Sequence, residues 1–368
     1  MAFNRGSAPG RLDLLGGVAD YSGALVLEIP TRQSTEVVAM PHGAFAVGPV
    51  AMSPEEMECL ARLPYDEVRR EMAPLPRWTR YVLGVVVVLL RHGAIDATPF
   101  RFEISSDLPM SVGVASSAAL EVAVARCLAA QLDPLRIAAL CQEAENHVVG
   151  APCGIMDQVA VAAGRPGWVL PVLCRPASLQ PAVPLRPDLE VVGWPSGAAH
   201  DVSGASYGRA RAAAFMGKRI VEDATGRTWR WVSELPPAEV AKLPDVLDGA
   251  TFLDRWRATG DELTTVEPGD SYPVRHATSF GAEEHLRSNQ ALTALTSGDL
   301  ARLGPLLQAS DSAYTTMGLG HAATTAVVGE ALARPGVFGA RSSGGGCGGT
   351  VVVACHRGAL DDVDGLIR

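Results

Sequence analysis

The sequence lacks any sign of a disulfide framework. Its seven cysteines (59, 127, 141, 153, 174, 347 and 355) are odd in number, include no C-x-x-C pair and lie mostly among apolar neighbours. That pattern fits reduced, buried thiols, and so a cytoplasmic location is expected. The eight histidines form no H-E-x-x-H and no Cys/His cluster, which removes zinc chemistry from the expectations. Positive charge is scarce as well: the formal net charge is −9, and nucleic acid as a partner needs a basic footprint that is missing here. The first residues contain no apolar signal-peptide core. The longest apolar run, 82–90, is about half the length needed to cross a bilayer, so neither secretion nor a membrane is expected. Internal repeats and low-complexity tracts are absent too.

What remains is a chain of 368 residues, 48% hydrophobic and 19% charged, long enough for two domains. Short β-like stretches occur at 24–29, 35–38, 100–104, 168–173, 189–193 and 350–355. They are mixed with long helical patterns and lack a regular βαβ alternation, which predicts an α+β fold. Residues 133–149 carry the clearest helix, with Asp133 as N-cap, Pro134 at the first turn and Gly150 at the left-handed end. The valine-rich run 82–90 has strand propensity but helical length. Residues 236–273 are rich in Pro, Gly, Asp and Thr and predict a surface excursion. Four prolines between 176 and 187 suggest a junction, dividing the chain into 1–178 and 179–368.

Three segments bear chemistry. Residues 339–350, GARSSGGGCGGT, run into an apolar strand; glycine there allows either a tight turn or a backbone that approaches a ligand closely. Residues 107–121, DLPMSVGVASSAALE, lead through a Pro/Gly turn to paired serines and an alanine-rich helix. A helix start of that kind is either a plain serine cap or an anion site. Residues 7–23, SAPGRLDLLGGVADYSG, place a fixed cation and two carboxylates in a stretch that reads as turn-rich.

In this order and spacing the three segments resemble the motifs of the GHMP small-molecule kinases. A fourth, GAPCGIMDQ at 150–158, resembles the galactokinase branch. ADYSG at 19–23, ENHVVGAPCG at 145–154 and MGLG at 317–320 look most like the L-arabinokinases, which are sugar 1-kinases. The resemblance spans residues 8–353. It implies a two-lobed α+β fold with the active site in the cleft between an N-terminal and a C-terminal lobe, and ATP and Mg²⁺ as cofactors.

The resemblance also implies roles. Gly113, Val114, Ala115, Ser116 and Ser117 would cradle the ATP phosphates, and Gly344 and Gly346 would close over them. Ser111 and Val112 stand where galactokinases have glycine, which a backbone cradle tolerates as long as φ stays negative at the side-chain-bearing positions. Ser117 and Glu145 would hold Mg²⁺, as a hydroxyl and one carboxylate commonly do beside a nucleotide. Asp157 would position the sugar's anomeric hydroxyl and take its proton, with Arg11 beside it; the plain alternative is a structural ion pair. Asp20, Tyr207, Gly154 and Gly345 would contact the sugar. At Gly17 and Val18 galactokinases carry Glu-His, and that Glu binds the hydroxyl on C6. L-arabinopyranose is D-galactopyranose without the C6 group, so losing both polar residues favours a pentopyranose or another ring that differs at that carbon. Restoring Glu-His is expected to turn preference toward galactose where the backbone tolerates side chains at 17; if Gly17 is there for a positive φ, the expected result is loss of activity on every sugar. A galactokinase, a kinase of a modified sugar or cyclitol, and a catalytically silent sugar and ATP sensor remain the other readings.

Overall fold

In the computed structural model, residues 3–199 and 205–368 are described. They form two compact units, each discontinuous in sequence. The first comprises Met1–Arg11, Pro30–Met110 and Ala115–Pro166; the second comprises Leu12–Ile29, Ser111–Val114 and Gly167–Arg368. Strands and helices are mixed without βαβ alternation, as expected for α+β.

In the first unit the later part of the strand Leu25–Pro41 pairs antiparallel with Phe100–Ser106, from Thr35 opposite Ser106 to Pro41 opposite Phe100. The helices Arg77–Arg91, Ser116–Leu128, Pro134–Glu143 and Met156–Ala163 pack together beside it. The valine run is helical, and every residue from Val82 to Leu89 is buried. A segment apolar on all sides is stable as a helix when other helices surround it, and here packing overrides the β preference of valine. Asp133 caps the helix Pro134–Glu143, its Oδ1 accepting from Leu135 N at 3.1 Å and Arg136 N at 3.0 Å.

In the second unit the earlier part of Leu25–Pro41 pairs antiparallel with Trp168–Leu173. A separate three-stranded antiparallel sheet has Thr350–His356 at its centre, between Val337–Ser342 and Leu189–Pro195. The helices Leu303–Thr316 and Ala322–Leu332 pack on Val337–Ser342. The central strand is buried from Thr350 to Cys355, which fixes the end of the glycine-rich loop that precedes it.

Three expectations are corrected. Residues 7–23 are turn-rich only in their second half: a strand runs over Asn4–Leu15, and a 3₁₀ turn, Gly17–Ala19, with further turns through Gly23 follows it. Its charged letters misled because Arg11 and Asp13 are buried and paired rather than solvated. The two strands expected at 24–29 and 35–38 are one. Pro30, which has no N–H to give, lies between the two ladders and interrupts neither. The excursion 236–273 holds a helix, Gly249–Trp256, and buried Phe252 and Tyr272, so it is anchored in the core.

Candidate active site

The loop before the helix Ser116–Leu128 holds its backbone in the left-handed region at Ser111 (φ 57°), Gly113 (φ 77°) and Ala115 (φ 58°). Negative φ at the side-chain-bearing positions, the condition for tolerating Ser111 in place of glycine, therefore does not hold there or at Ala115. Each non-glycine residue in that region costs on the order of 1–3 kcal/mol, a strain that clusters at ligand-binding sites. Left-handed residues alternating with others turn successive N–H groups toward one side, the geometry of an anion nest. The plain-cap reading of the serines also fails. Ala115 occupies the cap position and no side chain caps this end, so Ser116 and Ser117 lie inside the first turn. Thr350 Oγ1 braces the loop by donating to Val112 O at 2.7 Å. In the first unit a pocket of about 430 Å³ opens beside Ser116, walled by Trp78, Phe102, Ile104, Met110 and Leu120.

The first unit also holds the acidic cluster. Arg11 meets Asp157 as a two-pronged pair, Nε to Oδ1 and Nη2 to Oδ2, both 2.9 Å. Arg11 is 2% exposed and Asp157 24%, so the guanidinium is fixed inside while one face of the carboxylate stays open. Glu145 is reached through a feature the sequence did not announce. The helix Pro134–Glu143 continues as a π turn, Ala144–Val149, in which Gly150 N donates to Glu145 O at 3.0 Å. That widened turn buries Glu145 and Asn146 together, and π turns recur at functional sites. Gly154 is buried in the following segment, whose Cys153 N donates to Asn146 Oδ1 at 2.9 Å. Gln158, fully buried, donates from Nε2 to Glu145 Oε2 at 2.6 Å and to Glu121 Oε2 at 3.2 Å. Burial first, then the charge of Asp157, pushes Glu145 up to about 7, against hydrogen bonds from Ser117, Cys153 and Gln158. Burial and the neighbouring Glu145 raise Glu121 as well.

The second unit gathers the remaining candidates around buried polar residues. Asp13 accepts from Gly17 N at 3.1 Å, Gly344 N at 3.0 Å and Arg341 Nη1 at 2.9 Å. Both members of that ion pair are fully buried. Tyr314 Oη donates to Gly344 O at 2.6 Å and accepts from Val18 N at 2.9 Å. The loop it anchors has positive φ at Gly344, Gly346, Cys347, Gly348 and Gly349, so glycine there serves backbone shape; Gly345 is buried within it. Asp20 is buried, next to Tyr21, whose ring meets Tyr207 edge-on at 6.2 Å. Tyr207 lies near the start of the helix Ala205–Thr225 and is 6% exposed; residues 200–204, quoted with it in the motif, lie outside the described residues. Arg211 supports the first ring, 5.0 Å from the Tyr21 centroid and doubly bonded to Asp261 at 3.0 Å.

Gly17 takes the second of the two alternatives, a positive φ. Its φ is 48°, and a Cβ built on it would lie 1.6 Å from Tyr314 Oη. Replacing Gly17-Val18 by Glu-His therefore clashes before it can change a sugar preference.

Comparison with known proteins gives the family. Residues 80–165 match the family model of the GHMP kinases N terminal domain. The chain is 32% identical to the galactokinase of Chloroflexus aurantiacus over 98% of its own length and 85% of that protein. The chain belongs to the galactokinase branch of the GHMP kinases. It is 30% identical to the L-arabinokinase of Arabidopsis thaliana over 94% of its own length, and spans 42% of that longer protein. A crystal structure of Lactococcus lactis galactokinase complexed with galactose shares the fold, with TM-score 0.78 and 21% identity over 98% of this chain and 87% of that one.

The residues present suit what a GHMP kinase uses. Among the described residues no group of three or more His, Cys, Asp or Glu could hold a metal by itself. A hydroxyl and one carboxylate, Ser117 and Glu145, are instead hydrogen-bonded beside two further acids, Glu121 and Asp157. This concentration of buried oxygen ligands fits a hard divalent cation that completes its shell with phosphate and water. Sequence assigns no role to Gln158, Asp13, Arg341 or Tyr314. The first three stand in motifs quoted for other residues, and Tyr314 carries no local signal.

Proposed function

We propose that this GHMP kinase transfers the γ-phosphoryl group of ATP to the anomeric hydroxyl of a monosaccharide, L-arabinose in the first instance. The observation that carries the reading is the two-pronged Arg11–Asp157 pair, with Asp157 half-open and Arg11 buried. In this reading Asp157 orients the anomeric hydroxyl and accepts its proton as the O1–P bond forms and the bond to ADP breaks. Arg11 keeps the carboxylate in place and offsets charge on the transferred group. The left-handed loop through Gly113, Val114 and Ala115, with Ser116 and the end of Ser117's helix, receives the phosphates, and Gly344 and Gly346 help to enclose them. Ser117 and Glu145 would hold Mg²⁺, which would supply neutralisation of phosphate charge when bound. The pocket beside Ser116 takes the nucleobase, with Trp78 as an aromatic wall. Asp20, Tyr207, Gly17, Val18, Gly154 and Gly345 line the sugar side. The free thiols support a cytoplasmic enzyme.

L-arabinose is preferred over D-galactose because Gly17 and Val18 offer no carboxylate for a C6 hydroxyl, and because one relative is named an L-arabinokinase. The second reading, galactokinase, draws on a relative covered over 85% of its length. Release of ADP with a panel of free sugars separates them: kcat/KM is expected to be higher for L-arabinose than for D-galactose, and a preference for galactose would establish the second.

A further inference from the structure

We propose that Gln158 is a positioning residue that limits Glu145 to one oxygen for a cation and thereby sets the site to favour Mg²⁺ over Ca²⁺. This rests on the reading of Ser117 and Glu145 as the residues that hold the cation. Three packed elements meet at Gln158. It projects from the helix Met156–Ala163, which packs on Ser116–Leu128, the helix of Glu121, and on Pro134–Glu143, whose π continuation carries Glu145. Gln158 and Glu121 are fully buried and Glu145 is 4% exposed. A glutamine enclosed in this way has no room to swing aside. Its Nε2 donates to Glu145 Oε2 at 2.6 Å and to Glu121 Oε2 at 3.2 Å. Turned over, the amide would set its own oxygen against those of the two acids, so only one orientation is favourable. Cys153 Sγ is a second, weaker donor to the same Glu145 Oε2, at 3.6 Å.

Glu145 Oε2 is therefore committed to the protein, and at most one oxygen of this carboxylate is left for a cation. The amide is kept at a cost. Gln158 Oε1 and Glu121 Oε1 are buried without a hydrogen-bond partner among the described residues. Such atoms are unfavourable, so packing alone would be served better by an apolar residue at 158. What the amide adds is the donor fixed at Glu145. That donor separates the two cations. Ca²⁺ accepts a larger and looser shell and often takes both oxygens of one carboxylate, whereas Mg²⁺ is held to a compact octahedron. A carboxylate limited to one oxygen denies Ca²⁺ that chelate and takes nothing from Mg²⁺.

The test reads cation binding rather than turnover. Mn²⁺ bound to the protein with a non-hydrolysable ATP analogue is followed by electron paramagnetic resonance and displaced by Mg²⁺ or by Ca²⁺. The same displacement from the free analogue is measured beside it, so that the nucleotide's own preference cancels. On that scale the wild type is expected to favour Mg²⁺ over Ca²⁺ by at least about fivefold. Gln158→Met keeps length and removes the donor, and it is expected to lower this preference by about fivefold or more through tighter Ca²⁺ binding. A merely structural glutamine would weaken both cations alike and leave the ratio unmoved, which overturns the proposal. Ca²⁺ as effective as Mg²⁺ in the wild type overturns it as well, and this comparison decides alone if the variant does not fold. Unchanged Mn²⁺ affinity in Glu145→Ala is a different failure: it removes Glu145 from the cation site and the proposal with it.

Discussion

The proposed chemistry rests on Asp157 because it is the one acid of its cluster that combines partial exposure with a fixed cation. Asp157→Asn preserves volume and removes charge. Sugar binding is expected to survive and turnover to fall by on the order of 10²–10⁴, as for loss of a general base; single-turnover phosphorylation together with equilibrium sugar binding measures both. A fall below tenfold would assign Asp157 to orientation only. At the opposite extreme of burial stands Asp13. Arg341 Nε and Nη2 have no hydrogen-bond partner, so Asp13 supplies the only charge-assisted bond its guanidinium has among the described residues. Asp13→Asn leaves that cation buried and uncompensated, at about 3–5 kcal/mol. Denaturant unfolding should show this loss in midpoint with little change in slope, and an unchanged midpoint would mean that the pair is dispensable. Little of this was readable residue by residue. Arg11, Asp157, Ser117 and Glu145 sit in local motifs, but Asp13 and Arg341 are separated by 328 positions, and nothing local announces such a partner.

At the scale of elements, the helix Ser116–Leu128 and the loop before it were legible as a Pro/Gly turn before alanine-rich sequence, whereas the left-handed strain at Ser111 and Ala115 and the π turn at Ala144–Val149 were not. Helical periodicity continues through it, and one inserted residue in the hydrogen-bond pattern has no compositional mark. The pocket beside that helix yields its own expectation: Trp78→Ala should raise KM for ATP by about fivefold to a hundredfold with a smaller effect on KM for the sugar, since stacking on an aromatic ring is worth about 1–3 kcal/mol. Equal effects on both substrates would count against a nucleobase there. The helix Val274–Ser297 carries a pH dependence. Leu25 N donates to His285 Nδ1 at 3.0 Å, which requires an unprotonated acceptor. Burial first, then Arg175, holds His285 below its ordinary 6.5. The folded state therefore binds fewer protons than the unfolded one as pH falls through 6.5, and stability present above that pH is lost below it. Melting temperature compared between pH 7.5 and 5.5 should fall more in the wild type than in His285→Gln; parallel behaviour would remove His285 from the account.

For the whole molecule, the α+β class and family membership could be read from sequence because four motifs recur in order over most of the chain. The strand Asn4–Leu15 could not, since its interior charges imitate a loop until their partners are known. The excursion 236–273 likewise has a structural role that its composition hides. Asp261 fixes Arg211, and Arg211 backs Tyr21 and through it Tyr207. Membership in the galactokinase branch gives a kinase, and the proposed role of the Arg11–Asp157 pair is to orient and deprotonate the sugar hydroxyl, so the central claim concerns which oxygen receives the phosphate. Phosphorus NMR of the product formed from ATP, Mg²⁺ and L-arabinose tests it most directly. The account predicts a phosphate monoester coupled to the anomeric proton, formed with one ADP per sugar. A phosphate on any other oxygen, or ADP released with no sugar phosphate from any monosaccharide, would contradict it.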